Sequence, residues 1–134
     1  MWLYRLMKKK ILIAEHNASI SLLLQHLLSN EYEVVTTTNG GEALTWLGQG
    51  NKPDVIIADI MMPEIDGWKL LQNIKASAFL STIPIMMLSG LETSTERIKC
   101  FELGADEYMI KPFSPQELTL RIANLINRSK YVRA

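Results

Sequence analysis

The sequence predicts an α/β domain built on a doubly wound parallel sheet, and three observations carry that reading. Strand and helix signals alternate five times along 134 residues, the rhythm that produces parallel strands joined by helical crossovers. Four apolar runs have the short, continuous character of strands buried on both faces. Each ends on a different polar, chemically competent residue: Glu15, Asp59, Ser89 and Lys111. The third observation is an apolar stripe, Ile20, Leu23, Leu24, Leu27 and Leu28, spaced to bury one helical face on a sheet.

Taken in order, the strands are expected near residues 9–14, 32–37, 54–58, 83–88 and 106–110. The second, Glu33-Val34-Val35-Thr36, is the most polar and is assigned to a sheet edge. The first helix carries the apolar stripe, with His26 off it as a solvated residue. Its other reading, a phosphotransfer histidine on a four-helix bundle, conflicts with the alternating strands. Capping boxes open three further helices: Asn39 with Glu42, Thr93 with Glu96, and Ser114 with Glu117. Pro115 occupies the favoured first position of the last helix. Asp66-Gly67 turns the chain into the third helix, and Gly104 is placed to end the fourth in a left-handed conformation. Cys100 and Phe101 read as packing residues of the fourth helix, and Trp46 as cover for the second. Trp68, beside the site, either packs, stands exposed or touches a partner.

At 48% hydrophobic residues and a formal net charge of zero, neither disorder nor electrostatic capture of nucleic acid is indicated. The single Cys100 excludes an internal disulfide and a multi-cysteine metal cluster, and it fits a reducing, cytoplasmic setting. No stretch approaches the roughly 20 apolar residues of a membrane span. Residues 1–7, apolar but for Arg5, precede Lys8-Lys9-Lys10, the wrong order for a secretory signal. They read as an extension before a domain over residues 8–130, with Met7 as an alternative start and a membrane-surface anchor as the other reading. Residues 131–134 form a tail or the start of a linker.

On one sheet edge, two carboxylates, a hydroxyl and an ammonium make equipment for a phosphoryl group. Three motifs extend that chemistry: Asp59-Ile60-Met61-Met62-Pro63-Glu64-Ile65-Asp66-Gly67, Ser89-Gly90, and Gly104-Ala105-Asp106-Glu107-Tyr108-Met109-Ile110-Lys111-Pro112-Phe113. In their order and spacing the chain resembles the response-regulator receiver family, the phosphoacceptor domains of two-component signalling, from about Lys8 to Arg128. The resemblance implies a flavodoxin-like sheet of five strands in order 2-1-3-4-5, with five helices. It also implies that Asp59 accepts a phosphoryl group from a histidine kinase or phosphotransfer protein. Lys111 would neutralise charge on it, the Ser89 hydroxyl would hydrogen-bond it, and the Lys111-Pro112 bond would be cis.

A divalent cation, normally magnesium, is implied as well, held by Glu15, Asp59 and the Met61 backbone carbonyl. His16 departs from the family pattern, which usually has an aspartate there. It flanks a weakened magnesium site, selects a softer ion such as manganese, or marks a domain that has lost efficient phosphorylation. Tyr108 matches the family's aromatic switch, whose ring moves inward when Ser89 is drawn to the phosphoryl group. Otherwise it is a strand tyrosine with its hydroxyl at the surface.

Six charges match the intermolecular pairs of the winged-helix transcription-factor branch: Arg97 with Glu117, Asp106 with Arg121, and Glu107 with Arg128. They imply a homodimer through the fourth helix, fifth strand and fifth helix. The expected function is thus a cytoplasmic switch with self-dephosphorylation, not a metabolic enzyme, and without direct contact to nucleic acid or membrane. The alternative is a divergent receiver acting as a phosphorylation-independent interaction or dimerisation module. A haloacid-dehalogenase-type phosphatase would want an acid where Met61 stands. Ending at Ala134, the chain reads as a stand-alone regulator or as the receiver of a longer protein, the dimer-type charges favouring the latter.

Overall fold

The computed structural model describes residues 8–91 and 93–132; the expected extension at 1–7 and the last two residues of the expected tail lie outside them. Five parallel strands alternate with five helices: β1 (Lys10–Ala14), α1 (Ala18–Leu28), β2 (Glu33–Thr37), α2 (Gly40–Gly48), β3 (Val55–Asp59), α3 (Gly67–Ala76), β4 (Ile85–Ser89), α4 (Ser94–Glu102), β5 (Glu107–Ile110) and α5 (Pro115–Val132). The sheet order is β2-β1-β3-β4-β5, flavodoxin-like as expected, with polar β2 at one edge.

Because successive strand side chains point to opposite faces, each central strand feeds two cores. Leu12, Ile56, Ala58 and Met87 pack with Leu47 of α2, Leu70 and Leu71 of α3, and Cys100 of α4. Ile11, Ile13, Ile57 and Leu88 pack with Leu24 and Leu28 of α1 and Leu118 and Ile122 of α5. All five residues of β3 and of β4 are buried, which explains why their sequences read as continuous apolar runs. Burial pushes the Cys100 thiol up to about 11, and the Glu96 charge adds to that shift.

The stripe on α1 is narrower than the spacing predicts. Leu24 and Leu28 are buried, but Leu23 is 41% exposed. At roughly 100° per residue, Ile20, Leu24, Leu27 and Leu28 fall within one arc, whereas Leu23 lies a full step round from Leu24. Phe101 also departs from its expected packing role and is 45% exposed.

The helix starts show which half of each capping box is real. Asn39 Oδ1 accepts from the Glu42 N–H at 2.8 Å, Thr93 Oγ1 from the Glu96 N–H at 3.3 Å, and Ser114 Oγ from the Glu117 N–H at 3.2 Å. The reciprocal half is absent in all three. Glu42 instead accepts from the Thr38 N–H and hydroxyl, Glu117 from Arg121, and Glu96 from Ser89 and Tyr108. Each carboxylate has found a donor better placed than the N-cap amide.

Two glycines sit where another residue would be strained or would clash. Gly104 follows α4 with φ +104°, the left-handed conformation expected of it. A Cβ on Gly67 would lie 2.3 Å from the Asp59 carbonyl oxygen, so the loop after β3 can fold back onto the strand end only with glycine there. Asp66 then caps α3 by accepting from the Lys69 N–H at 2.9 Å.

Candidate functional site

The parallel register brings the predicted polar residues to one edge. Ala14 lies beside Ala58, Asp59 beside Leu88, and Ser89 beside Ile110. The ladders run on past the strand ends: the Glu15 N–H donates to the Thr37 carbonyl, Ile60 to Leu88, and Lys111 to Ser89, at 2.7 to 3.0 Å. Backbone pairing therefore fixes where Glu15, Asp59, Ser89 and Lys111 begin, before any side-chain preference acts. The Lys111-Pro112 peptide is cis.

Lys111 Nζ sits 2.8 Å from Glu15 Oε1 and 3.1 Å from Asp59 Oδ1. All three side chains are largely withdrawn from water, at 16%, 0% and 7% exposure respectively. Two carboxylates and one ammonium leave a net negative charge in a low-dielectric recess. Burial pushes the Glu15 carboxyl above its ordinary value. Lys111 and the Asn17 N–H pull it back, and the Asp59 charge adds to the rise. Glu15 Oε2 accepts from the Asn17 N–H at 3.0 Å, whereas the buried Oε1 has Lys111 nearby but no aligned hydrogen-bond donor.

That unsatisfied oxygen, facing a second carboxylate in a negative recess, fits a hard divalent cation, which seeks oxygen ligands and keeps several waters. Among the described residues, no three His, Cys, Asp or Glu side chains converge as a metal-holding group. His16 is exposed, and it joins no such group. Met61 presents its side chain outward, 68% exposed, while its N–H donates to Asp59 Oδ1 at 3.3 Å.

Ser89 is fully buried, but its hydroxyl is not turned to Asp59. It donates to Glu96 Oε1 and accepts from the Leu91 N–H at 3.0 Å. Tyr108 is buried, and its hydroxyl lies 2.9 Å from the Leu91 carbonyl and 3.0 Å from Glu96 Oε1. The surface-tyrosine reading therefore does not match its position. Glu96 is the residue that sequence reasoning passed over as a cap. Its usable signal was its place in the first turn of α4, seven residues after Ser89.

The six charges of the expected dimer surface fall on α4, β5, α5 and the turn before β5, with Arg128 exposed. Within the chain, Arg121 already bonds Glu107 and Glu117, both at 2.9 Å. Asp106 accepts from the Ile85 N–H at 2.9 Å. A groove of about 460 Å³ runs beside β5, lined by Arg97, Phe101, Tyr108, Phe113, Glu117 and Arg121 among others. Lys99 Nζ lies over the Trp68 ring at 4.2 Å, joining α4 to the start of α3.

The model of the response regulator receiver domain matches residues 11–123. The chain belongs to the response regulator receiver family. This receiver domain is 44% identical over 124 residues to a probable transcriptional regulator, ycf27, of Cyanophora paradoxa, covering 92% of this chain and 50% of that protein. It is 38% identical over 125 residues to the alkaline phosphatase synthesis transcriptional regulatory protein PhoP of Bacillus subtilis, covering 92% and 51%. Among solved structures it superposes on a putative response regulator from Chloroflexus aurantiacus with a TM-score of 0.84, at 34% identity, covering 90% of this chain and 98% of that one. The receiver domain thus spans about half the length of the curated relatives it matches. Among the described residues, no helix is long and apolar enough to cross a membrane.

Proposed function

We propose that this receiver domain accepts a phosphoryl group on Asp59 from a sensor histidine kinase or phosphotransfer protein, in the cytoplasm, and alters its α4-β5-α5 surface in response. One observation carries the proposal: Lys111 Nζ bridges Glu15 and Asp59 at 2.8 and 3.1 Å in a buried, net-negative recess. An Asp59 carboxylate oxygen attacks phosphorus, the bond from phosphorus to the donor imidazole nitrogen breaks, and that nitrogen keeps the electron pair and takes a proton. Lys111 faces the equatorial oxygens, where charge must be neutralised, and the Ser89 hydroxyl hydrogen-bonds one of them. Glu15, Asp59 and the Met61 carbonyl would hold magnesium, which supplies further charge neutralisation when bound. Water attack on the acyl phosphate restores Asp59 and ends the signal.

Residues 8–130 form the functional unit in this reading. Homodimerisation would use Arg97 with Glu117, Asp106 with Arg121, and Glu107 with Arg128, each pair spanning two copies. Arg121 would then exchange its own Glu107 and Glu117 for Asp106 of the second copy.

Incubating the chain with a small phosphodonor, in magnesium and separately in manganese, tests the proposal by intact mass. Gain of one phosphoryl group with magnesium is expected. A clear preference for manganese would assign His16 a part in ion choice. No gain with either ion would reject the active receiver.

A further inference from the structure

We propose that Glu96 is a positioning residue that latches Ser89 away from the phosphoryl site and hands its own carboxylate to Tyr108 when Ser89 leaves. The proposal rests on Asp59 being the phosphoacceptor. A serine hydroxyl has one proton to give. Here that proton goes to Glu96 Oε1, while the Leu91 N–H occupies a lone pair of the same oxygen. Ser89 is fully buried, so no bulk water is available to take over either bond. For the hydroxyl to reach a phosphoryl oxygen on Asp59, the bond to Glu96 must break first.

The exchange is close to balanced, because one anionic acceptor replaces another. Tyr108 makes it directional. Its single proton lies between the Leu91 carbonyl at 2.9 Å and Glu96 Oε1 at 3.0 Å, and it shares the second acceptor with Ser89. Once Ser89 turns to the phosphoryl group, Glu96 Oε1 is left to Tyr108 alone. The buried ring is then held from α4, beside the groove that Tyr108 and Arg97 line. Glu96 is suited to both positions. The Thr93 cap fixes its backbone at the start of α4, and the helix N-terminus stabilises its negative charge. Its neighbours in the cluster are hydroxyls and backbone, with no cation within salt-bridge distance among the described residues.

Calorimetric titration with beryllofluoride and magnesium, a non-covalent stand-in for the aspartyl phosphate, tests the latch. Glu96→Ala should bind about tenfold tighter than the unaltered chain, the worth of one charge-assisted hydrogen bond no longer broken on binding. The gain should vanish in a Ser89→Ala background, which a merely structural role of Glu96 would not produce. Glu96→Gln, which keeps the shape and offers a weaker acceptor, should give a smaller gain in the same direction, and it carries the test if the alanine variant does not fold. Binding by the unaltered chain with no gain in the Glu96 variants, or an equal gain without Ser89, overturns the latch alone. Failure of the unaltered chain to bind beryllofluoride or to accept a phosphoryl group overturns the phosphoacceptor reading and the latch with it.

Discussion

Asp59→Asn is expected to remove phosphoryl uptake altogether, a loss of at least about a thousandfold against a small phosphodonor. The asparagine keeps the shape of the side chain at the end of β3 and loses the nucleophile, since a neutral amide oxygen does not form a stable acyl phosphate. Ser89 cannot stand in for it, being buried with its hydroxyl given to Glu96. The variant should still fold, because Lys111 keeps its 2.8 Å contact with Glu15 and the recess becomes closer to neutral. Intact mass with and without donor reads the loss, and thermal melting verifies the fold. Continued response of a partner or of self-association to the donor in this variant would refute the switch. A module that works without phosphorylation would be unaffected by the substitution.

The second large effect concerns stability. Lys111→Ala leaves Glu15 and Asp59 buried without their shared cation, and breaking a buried ion cluster in this way costs about 3 kcal/mol. For a domain of this size that lowers Tm by about 10 °C. Glu15→Gln should act in the opposite direction, stabilising the metal-free chain by about 1 kcal/mol, because one carboxylate and one ammonium then remain.

The pH dependence separates these cases. Glu15 already lies above its ordinary 4.5 in the folded chain, so it binds more protons folded than unfolded. Its contribution is complete below that ordinary value and is lost as pH rises through the higher folded one. Lys111→Ala should therefore be most damaging at neutral and alkaline pH, and added magnesium should restore part of the loss there. Glu15→Gln should flatten both dependences. Melts at pH 5 and pH 8, with and without magnesium, check all of this, and a Lys111→Ala chain as stable as the original would remove the charge argument.

The parts of this molecule readable in advance are those decided by local pattern. Buried runs such as Val55–Asp59, the polar edge strand Glu33–Thr37 and the N-caps Asn39, Thr93 and Ser114 depend on residues close in the chain. Glu15, Asp59, Ser89 and Lys111 could be grouped because parallel strands share a carboxyl edge whatever their side chains do. The unreadable parts depend on competition among distant groups. Glu96, Glu42 and Glu117 each carry a capping-box signature, yet each side chain goes to another partner. Nothing in the spacing says which donor wins. Exposure at Phe101 is likewise not fixed by local spacing, whereas that of Leu23 follows from its angle on α1. Arg121 shows the limit most plainly, since its charge suits a second copy of the chain while its own Glu107 and Glu117 already hold it.

Cys100 turns α4 into a clock. Its thiol is fully buried on the inner face of that helix, and its proton is held up to a pH of about 11, so no thiolate is presented to attack an alkylating reagent while the helix lies on the sheet. The rate of alkylation in native buffer therefore counts how often α4 lifts away. As the sole cysteine of the chain, it records that opening without any introduced label.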